Sequence, residues 1–581
     1  MYTNWRDVIS KPKYSIKTEK DVFVAVRDGI KLAVDIYRPD APGKFPALLA
    51  MGGYGKELQD ELIPPQPLAK SAVWDGNIEA GDTGEIVPRG YVHVIGDCRG
   101  TGISEGEYAG MWSSQEGRDG ADIVEWIAKQ PWCDGNVGMI GYSYYGGIQL
   151  KVAIEQPPHL KSIFVSHIGY DYYRDQVYVG GILSLFFYGL WHGRHGTSGY
   201  APRNAVSKTQ KSMSPEDFKK LQEELLKDPD IKNYPNVYHL VKYPYKNPPF
   251  FDYVAHPFDG PFYQDKSIYP FSDKIKVPVY VVGKVAHEFN GYWDVYENLT
   301  CYKKLWVKPA GAEERPWRED LEFLLRWHDY WLKGIDTGIK EEPQVKMYIS
   351  GANEYRFLEK WPLDESKKDY TKIYLRRWEG LSFQPELYQP DPDCYLQMPL
   401  HLSTKRDSVK YTSPPLPASL EVMGHSAFNF YASIDTDDAY WIVRLYDVDP
   451  AGHQFKLAKG YLKATHRATD PARTRPYRPY HPHIKKDPIK PGEVYEYNIE
   501  LGPVTHVFKP GHRIKLEIES MESPRDPEMQ IHYHPHLNSS RTTLHKIYRN
   551  REFQSHLVFP VTAGKEAVME VMSDENFQGG V

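Results

Sequence analysis

Residues 132–147 read WCDGNVGMIGYSYYGG and place one serine, Ser143, between an expected strand and an expected helix. Gly138, Met139 and Ile140 have the character of a buried strand end, while residues 148–155 (IQLKVAIE) carry helical periodicity and good helix formers. Gly141 and Gly146 flank the turn, so the chain is expected to reverse at Ser143. A nucleophile needs this geometry: a tight strand-to-helix turn lifts the hydroxyl clear of the sheet, and the N–H groups that open the helix face a developing oxyanion. The spacing is G-x-S-x-x-G, with Tyr145 where the commoner G-x-S-x-G elbow has its last glycine. Taken alone, it also fits a glycine-rich connection in any α/β protein.

Working outward, the 581 residues are too many for one core and predict several domains. The 41% hydrophobic and 25% charged shares are those of a soluble globular protein. A net charge of −6, with Lys and Arg scattered, argues against a nucleic-acid partner. Cys98, Cys133, Cys301 and Cys394 are far apart, which predicts neither a zinc site nor a disulfide framework and fits a cytoplasmic setting. The N-terminal stretch has no apolar signal-peptide core, and the longest apolar run, residues 180–191, is shorter than the ~20 residues of a membrane helix.

Before Ser143, residues 22–26 and 30–37, joined through Arg27-Asp28-Gly29, read as a hairpin. Residues 45–51 and 91–95 are short apolar runs of the fully buried strand type, and residues 117–129 are helical. Strands alternating with helices predict a doubly wound, largely parallel sheet whose ligands bind beyond the C-terminal strand ends. Ser143, Tyr54 and the loop 96–100 all fall at such ends.

Four stretches, Val26-Arg27-Asp28-Gly29 with Asp35 to Pro39, Asp97 to Gly106, Trp132 to Gly138 and Gly141 to Gly146, together resemble the cocaine esterase and Xaa-Pro dipeptidyl-peptidase family of serine hydrolases. The resemblance implies an α/β-hydrolase over residues 1–169 and 269–350, a helical cap over 170–268 and a C-terminal jelly-roll β-sandwich over 351–581. It makes Ser143 the acylated nucleophile and gives the oxyanion hole to the Tyr54 hydroxyl and the Tyr144 N–H. In the cap segment one amphipathic helix is evident, residues 214–227, opened by Ser214-Pro215-Glu216. Phe186, Phe187, Tyr188, Trp191, His192 and His195 are its pocket candidates, and an aromatic cap core would explain them equally.

The resemblance breaks at the acid and base of the triad. After the strand 277–282 the family's aspartate position falls near Ala286, and after the strand 304–307 its histidine position falls at Ala312. The same two loops carry His287 and the pair Glu313 and Glu314. A base within reach of Ser143 and a carboxylate orienting it suffice for the chemistry, whichever loop supplies each. A swapped triad of Ser143, His287 and Glu314 or Glu313 is therefore expected. Glu288 or Asp294 as the acid, and His192 or His195 as the base, remain open. Glu107, Asp171 and Asp175 are the acids available to hold a substrate amine, though each also reads as solvated or structural.

Beyond about residue 351, strands at 372–375, 420–423, 427–433, 440–448, 493–501, 513–520 and 555–561 predict an antiparallel sandwich, with residues 470–488 as a long loop. His532, His534 and His536 alternate along the chain, but Pro535 interrupts them, and no metal is expected. The reading is a serine hydrolase acting on a small ester or amide, with no cofactor, no membrane and room for a homodimer. Amide hydrolysis or acyl transfer on the same scaffold is the alternative, and a catalytically silent ligand-binding protein is another.

Overall fold

The computed structural model describes residues 4–59, 79–185, 203–286, 290–310, 320–523, 525 and 536–573. Its N-terminal half is built on a ten-stranded sheet: β1 (Ile16–Ala25), β2 (Lys31–Pro39), β3 (Phe45–Gly52), β4 (Val92–Asp97), β5 (Cys133–Tyr142), β6 (Leu160–Ser166), β7 (Val279–Lys284), β8 (Lys303–Lys308), β9 (Val345–Ile349) and β10 (Glu354–Leu358). The order across the sheet is β1-β2-β4-β3-β5-β6-β7-β8-β9-β10. β1 and β2 form the expected hairpin, turned at Gly29 with φ +83°. From β4 to β9 every pairing is parallel. All six residues of β4 are buried, as are the last seven of β3, because such strands are covered on both faces.

Two helices cover the strands that carry the turn. α1 (Ser114–Ala128) opens on a capping box between Ser113 and Glu116. α2 (Ser143–Ile154) is buried at every position but the first. Close contact fixes small residues between them: a Cβ on Gly117 would lie 2.7 Å from the Lys151 carbonyl oxygen, and one on Gly120 would lie 2.3 Å from Val152. A third helix, α3 (Leu321–Lys333), brings buried His328 to within 2.9 Å of the Ser162 hydroxyl on β6. β5 runs from Cys133 through the expected strand end at residues 138–140 to Tyr142, and α2 starts at Ser143 itself, five residues before the helical periodicity at 148. Gly146 and Gly147 conceal the helix start because they are weak helix formers, kept there by the close approach of neighbouring groups.

Between β6 and β7 the described residues include six short α-helices, Lys208–Lys211, Pro215–Leu225, Pro229–Lys232, Pro235–Lys242, Pro248–Ala255 and Pro261–Gln264. The second is the helix expected from Ser214, whose hydroxyl accepts from the Asp217 N–H at 3.1 Å. The last four also begin on proline, the N1 signal that the single amphipathic stretch overshadowed.

The C-terminal strands form a second, almost wholly antiparallel network around their own core, which runs from Ile373 to Met572. The two pieces read at 420–423 and 427–433 are one strand, Leu420–Ile434, with a register shift between Ser426 and Ala427. Strands Asp393–Gln397, Ser408–Thr412, Gln454–Lys463 and Thr543–Tyr548 escaped the reading because polar or charged residues interrupt their apolar positions. A final helix, Lys565–Met572, was also unforeseen. The expected loop 470–488 contains no strand and reaches back to the first half. The Arg174 guanidinium donates to the carbonyls of His481 and Pro482, and Arg478 pairs with Asp294 and Glu297.

Candidate active site

Ser143 sits at φ +53°, a left-handed backbone that costs a non-glycine residue free energy and is kept only where its surroundings enforce it. Those surroundings are visible. A Cβ on Gly141 would lie 2.3 Å from the Tyr145 Cβ, one on Gly146 would lie 2.4 Å from the Ser166 carbonyl oxygen, and one on Gly147 would lie 2.2 Å from the Trp112 ring. The strand, the helix and the next strand therefore meet closer than any side chain permits. From Val137 to Ile154 every residue is buried except Ser143. The turn presents that one hydroxyl and hides everything around it.

Tyr54 follows β3 in the loop Gly52-Gly53-Tyr54-Gly55-Lys56 and is 5% exposed. Its ring meets that of Tyr144 edge-on, with centroids 5.4 Å apart and planes at 79°, and lies 6.2 Å from the ring of Tyr145. The two residues after the serine thus form the wall against which Tyr54 rests. Gly52 and Gly53 admit those rings: a Cβ would lie 2.2 Å from Tyr145 at the first and 2.9 Å from Tyr144 at the second. The loop is anchored from the neighbouring strand. The Cys98 N–H donates to the Gly52 carbonyl at 2.9 Å, and Asp97 accepts from the Lys56 N–H at 2.8 Å. Burial pushes the Asp97 carboxyl up to about 7. The Lys56 ammonium is buried among Asp21 at 2.6 Å, Glu57 at 2.8 Å and Asp35 at 3.0 Å.

The segment from Asp97 to Gly106 has a structural account. A Cβ on Gly102, at φ +49°, would lie 2.0 Å from the Asp97 carboxylate, and the Ser104 hydroxyl donates to the Asp97 carbonyl at 2.9 Å. Arg99 is held by Asp119 at 2.6 Å and Asp28 at 3.0 Å. These residues build the ledge under the Tyr54 loop.

His287, Glu313, Glu314, Phe187, Trp191 and His192 lie outside the described residues, as do Phe186, Tyr188, His195, Glu288, His532 and His534. The bases of the two loops that carry the expected triad partners are described. Next to residues 287–289, Ala286 has φ +54°, and the Val285 N–H donates to the Lys308 carbonyl at 2.9 Å. Residues 311–319 are flanked by a buried ion pair, Lys308 with Asp320, at 2.7 Å. Both loops leave the same sheet edge as Ser143, two and three strands away, which at ~4.8 Å per strand is about 10 and 14 Å.

The other acids are committed elsewhere. Glu107 pairs with Lys211, and Asp171 pairs with Arg174 at 2.6 Å. Asp175 accepts from the N–H groups of Tyr170 at 2.6 Å and Asp171 at 2.9 Å, and burial beside Asp294 and Asp171 pushes it up to about 8. Asp294 pairs with Arg478. His536 is bound to Glu522 at 3.0 Å, and among the described residues no group of three or more His, Cys, Asp and Glu side chains is arranged to hold a metal ion.

Two residues near the turn were missed. His167 follows β6 directly, at φ +54°, and its ring lies 6.0 Å from that of Tyr142. Glu116 lies under Tyr144, accepting its hydroxyl hydrogen bond. Its sequence signal was the spacing Ser113-x-x-Glu116, which announces a helix start and says nothing of a tyrosine far along the chain.

Residues 28–311 match the sequence profile of the X-Pro dipeptidyl-peptidase (S15) family, and residues 337–558 match that of the X-Pro dipeptidyl-peptidase C-terminal non-catalytic domain. The chain belongs to this family. A cocaine esterase from Rhodococcus sp. is 27% identical over 610 residues, which cover 94% of this chain and 99% of that protein. A CocE/NonD family hydrolase from Staphylococcus aureus superimposes with a TM-score of 0.73 at 22% identity, covering 97% of this chain and 98% of that one. An alpha-amino acid ester hydrolase superimposes with a TM-score of 0.72 at 19% identity, covering 94% and 97%. Family membership makes the chain a serine hydrolase of the esterase and peptidase kind. The two solved structures show that its fold is the α/β-hydrolase fold of the family with a strand-rich C-terminal part. Among the described residues no helix is long and apolar enough to cross a membrane.

Proposed function

We propose that this chain hydrolyses a small carboxylic ester through an acyl-enzyme on Ser143. The observation that carries the reading is the turn itself: one partly buried serine in left-handed backbone, with its chain neighbours from Val137 to Ile154 buried and Tyr54 packed beside the residue that follows it. In the proposed reaction His287 takes the proton of the Ser143 hydroxyl as the oxygen attacks the ester carbonyl carbon. The carbonyl oxygen becomes an oxyanion, which the Tyr144 N–H and the Tyr54 hydroxyl stabilise. The intermediate collapses, and His287 returns the proton to the departing alkoxide. Water, deprotonated by the same imidazole, then attacks the acyl carbon, and Ser143 leaves as its alcohol. Glu314, or Glu313, orients the imidazole and stabilises its cation.

Ester is favoured over aminopeptidase chemistry by the fate of the acids. Recognition of a substrate amine needs a carboxylate that faces it, and among the described candidates Asp171 and Asp175 are engaged by Arg174 and by backbone N–H groups, while Glu107 sits in a half-exposed surface pair with Lys211. The test compares p-nitrophenyl acetate with an Xaa-Pro p-nitroanilide on wild type and Ser143→Ala. Ester turnover that needs Ser143, with anilide turnover at least tenfold slower, is the expected result. Faster anilide cleavage would make the chain a peptidase, and no Ser143-dependent turnover of either would leave a ligand-binding protein.

A further inference from the structure

Tyr144 is held beyond its own helix through its carbonyl, its ring and its hydroxyl, and the side chains of Cys98 and Tyr108 also interact with that hydroxyl. Its carbonyl accepts from the Trp112 indole N–H at 3.0 Å. Its ring fills the space that Gly53 leaves and meets Tyr54 edge-on. Its hydroxyl donates to one carboxyl oxygen of Glu116, which is 2% exposed, and the other oxygen of Glu116 accepts from the Ser113 N–H at 2.9 Å. The hydroxyl is thus tied, through Glu116, to the first turn of α1.

The consequence concerns both oxyanion donors together. Tyr144 contributes its N–H from the same residue whose ring supports Tyr54. A displacement of the ring therefore tilts the peptide and loosens the tyrosine at once. We infer that Glu116 is a positioning residue for the oxyanion hole: by fixing the Tyr144 hydroxyl it holds the Tyr144 N–H and the Tyr54 ring in their mutual geometry. This rests on the acyl-enzyme reading above. Glu116 touches no substrate, and its influence passes through Tyr144. Burial pushes its carboxyl above the usual carboxylate range, while the Tyr144 hydroxyl, the charge of Lys266 and the Ser113 N–H oppose that rise. A fully buried acid with this much desolvation is held in place by its partners and does not wander.

A purely structural role makes a different forecast. Glu116 also closes the capping box of α1, and loss of a cap lowers stability without changing the chemistry of correctly folded molecules. Glu116→Gln keeps one acceptor oxygen, enough for the Tyr144 hydroxyl, and puts an amide NH2 where the Ser113 N–H was accepted; Glu116→Met keeps the volume and removes both acceptors, and Ser113→Ala opens the box without touching Tyr144. The measurements are kcat and KM on an aryl ester, the affinity of an aryl boronic acid, whose tetrahedral adduct on Ser143 places an oxygen in the oxyanion hole, and the fraction folded by thermal melt. Removing an oxyanion donor costs about 10²–10³ in kcat, so displacing both by a fraction of an ångström should cost about 10- to 100-fold.

Glu116→Met should lose that factor in kcat and in boronate affinity together, with KM within about threefold of wild type, and Glu116→Gln should recover most of both. Ser113→Ala should melt earlier and keep its kcat. The inference is overturned when folded Glu116→Met keeps both kcat and boronate affinity, or when Ser113→Ala loses them equally. Should Glu116→Met not fold, Tyr144→Phe breaks the same bond from the other side, with Cys98→Ala as the control for the hydroxyl's further interaction there, and is judged by the same criteria. Failure of the underlying reading looks different: wild type itself then shows no Ser143-dependent turnover and no boronate adduct on Ser143.

Discussion

Ser143 could be singled out in the sequence because its neighbours are glycines whose purpose is geometric. The structure supplies what they make room for. Gly147 faces the rigid ring of Trp112, so Gly147→Ala should cost ~1–3 kcal/mol by overpacking, read as an earlier denaturant midpoint; an unchanged midpoint would mean that Trp112 can move. Tyr54→Phe removes a proposed oxyanion donor while its ring can still pack on Tyr144, so kcat should fall about 10²–10³-fold with KM little changed. Equal kcat in the variant would remove Tyr54 from the oxyanion hole. The two tyrosines of the proposed hole came from the family resemblance, Tyr54 by its place just past the strand 45–51 and Tyr144 by following the serine. Glu116 was not legible, since a capping-box glutamate reads as local chemistry and its contact with Tyr144 spans 28 residues.

At the scale of elements, the sheet was readable because parallel strands buried on both faces are largely apolar runs, as β3 and β7 are, while β4 and β8 keep shorter apolar stretches between His93 and Asp97 or between lysines. The C-terminal strands were readable only in part. Gln454–Lys463 alternates lysines with apolar residues, and Asp393–Gln397 has five residues, so neither stands out from a loop. The link between strands has a pH signature. Asp97 is held near 7 in the folded chain, against 3.8 for an unperturbed aspartate. The folded state therefore keeps a proton there that the unfolded chain releases. The stability of wild type falls through this residue as pH rises from about 4 to about 7 and is level above. Asp97→Asn lacks that loss and retains an oxygen to accept from Lys56. Its melting temperature relative to wild type should climb over that interval and then stay constant, and a pH-independent difference would contradict the account.

At the scale of the whole molecule, the C-terminal part is bound to the hydrolase part by partly buried charge. Arg478 reaches Asp294 and Glu297 on the helix Gly291–Asn298, His425 shares Glu297 at 2.8 Å, and Trp361 donates to the same carboxylate at 3.0 Å. The neighbouring carboxylates push His425 up to about 9. Removing Arg478 leaves acids facing one another in a partly solvated interface, so Arg478→Ala should destabilise the protein by about 1–2 kcal/mol, while Arg478→Lys keeps the charge and loses the fork. A urea midpoint unchanged in Arg478→Ala would show that the loop 470–488 is not the tie described. None of this was visible in the sequence, where residues 470–488 read as a Pro- and Arg-rich loop with no stated partner. Charge pairs between distant segments leave no periodicity to find.

The central claim is that Ser143 is an activated nucleophile with His287 as its base. Intact mass after exposure to a fluorophosphonate, on wild type, Ser143→Ala and His287→Ala, tests it most directly. The account predicts one adduct per chain on wild type, none on Ser143→Ala, and a labelling rate on His287→Ala lower by orders of magnitude. An adduct that persists in Ser143→Ala, or wild-type labelling kinetics in His287→Ala, would contradict it.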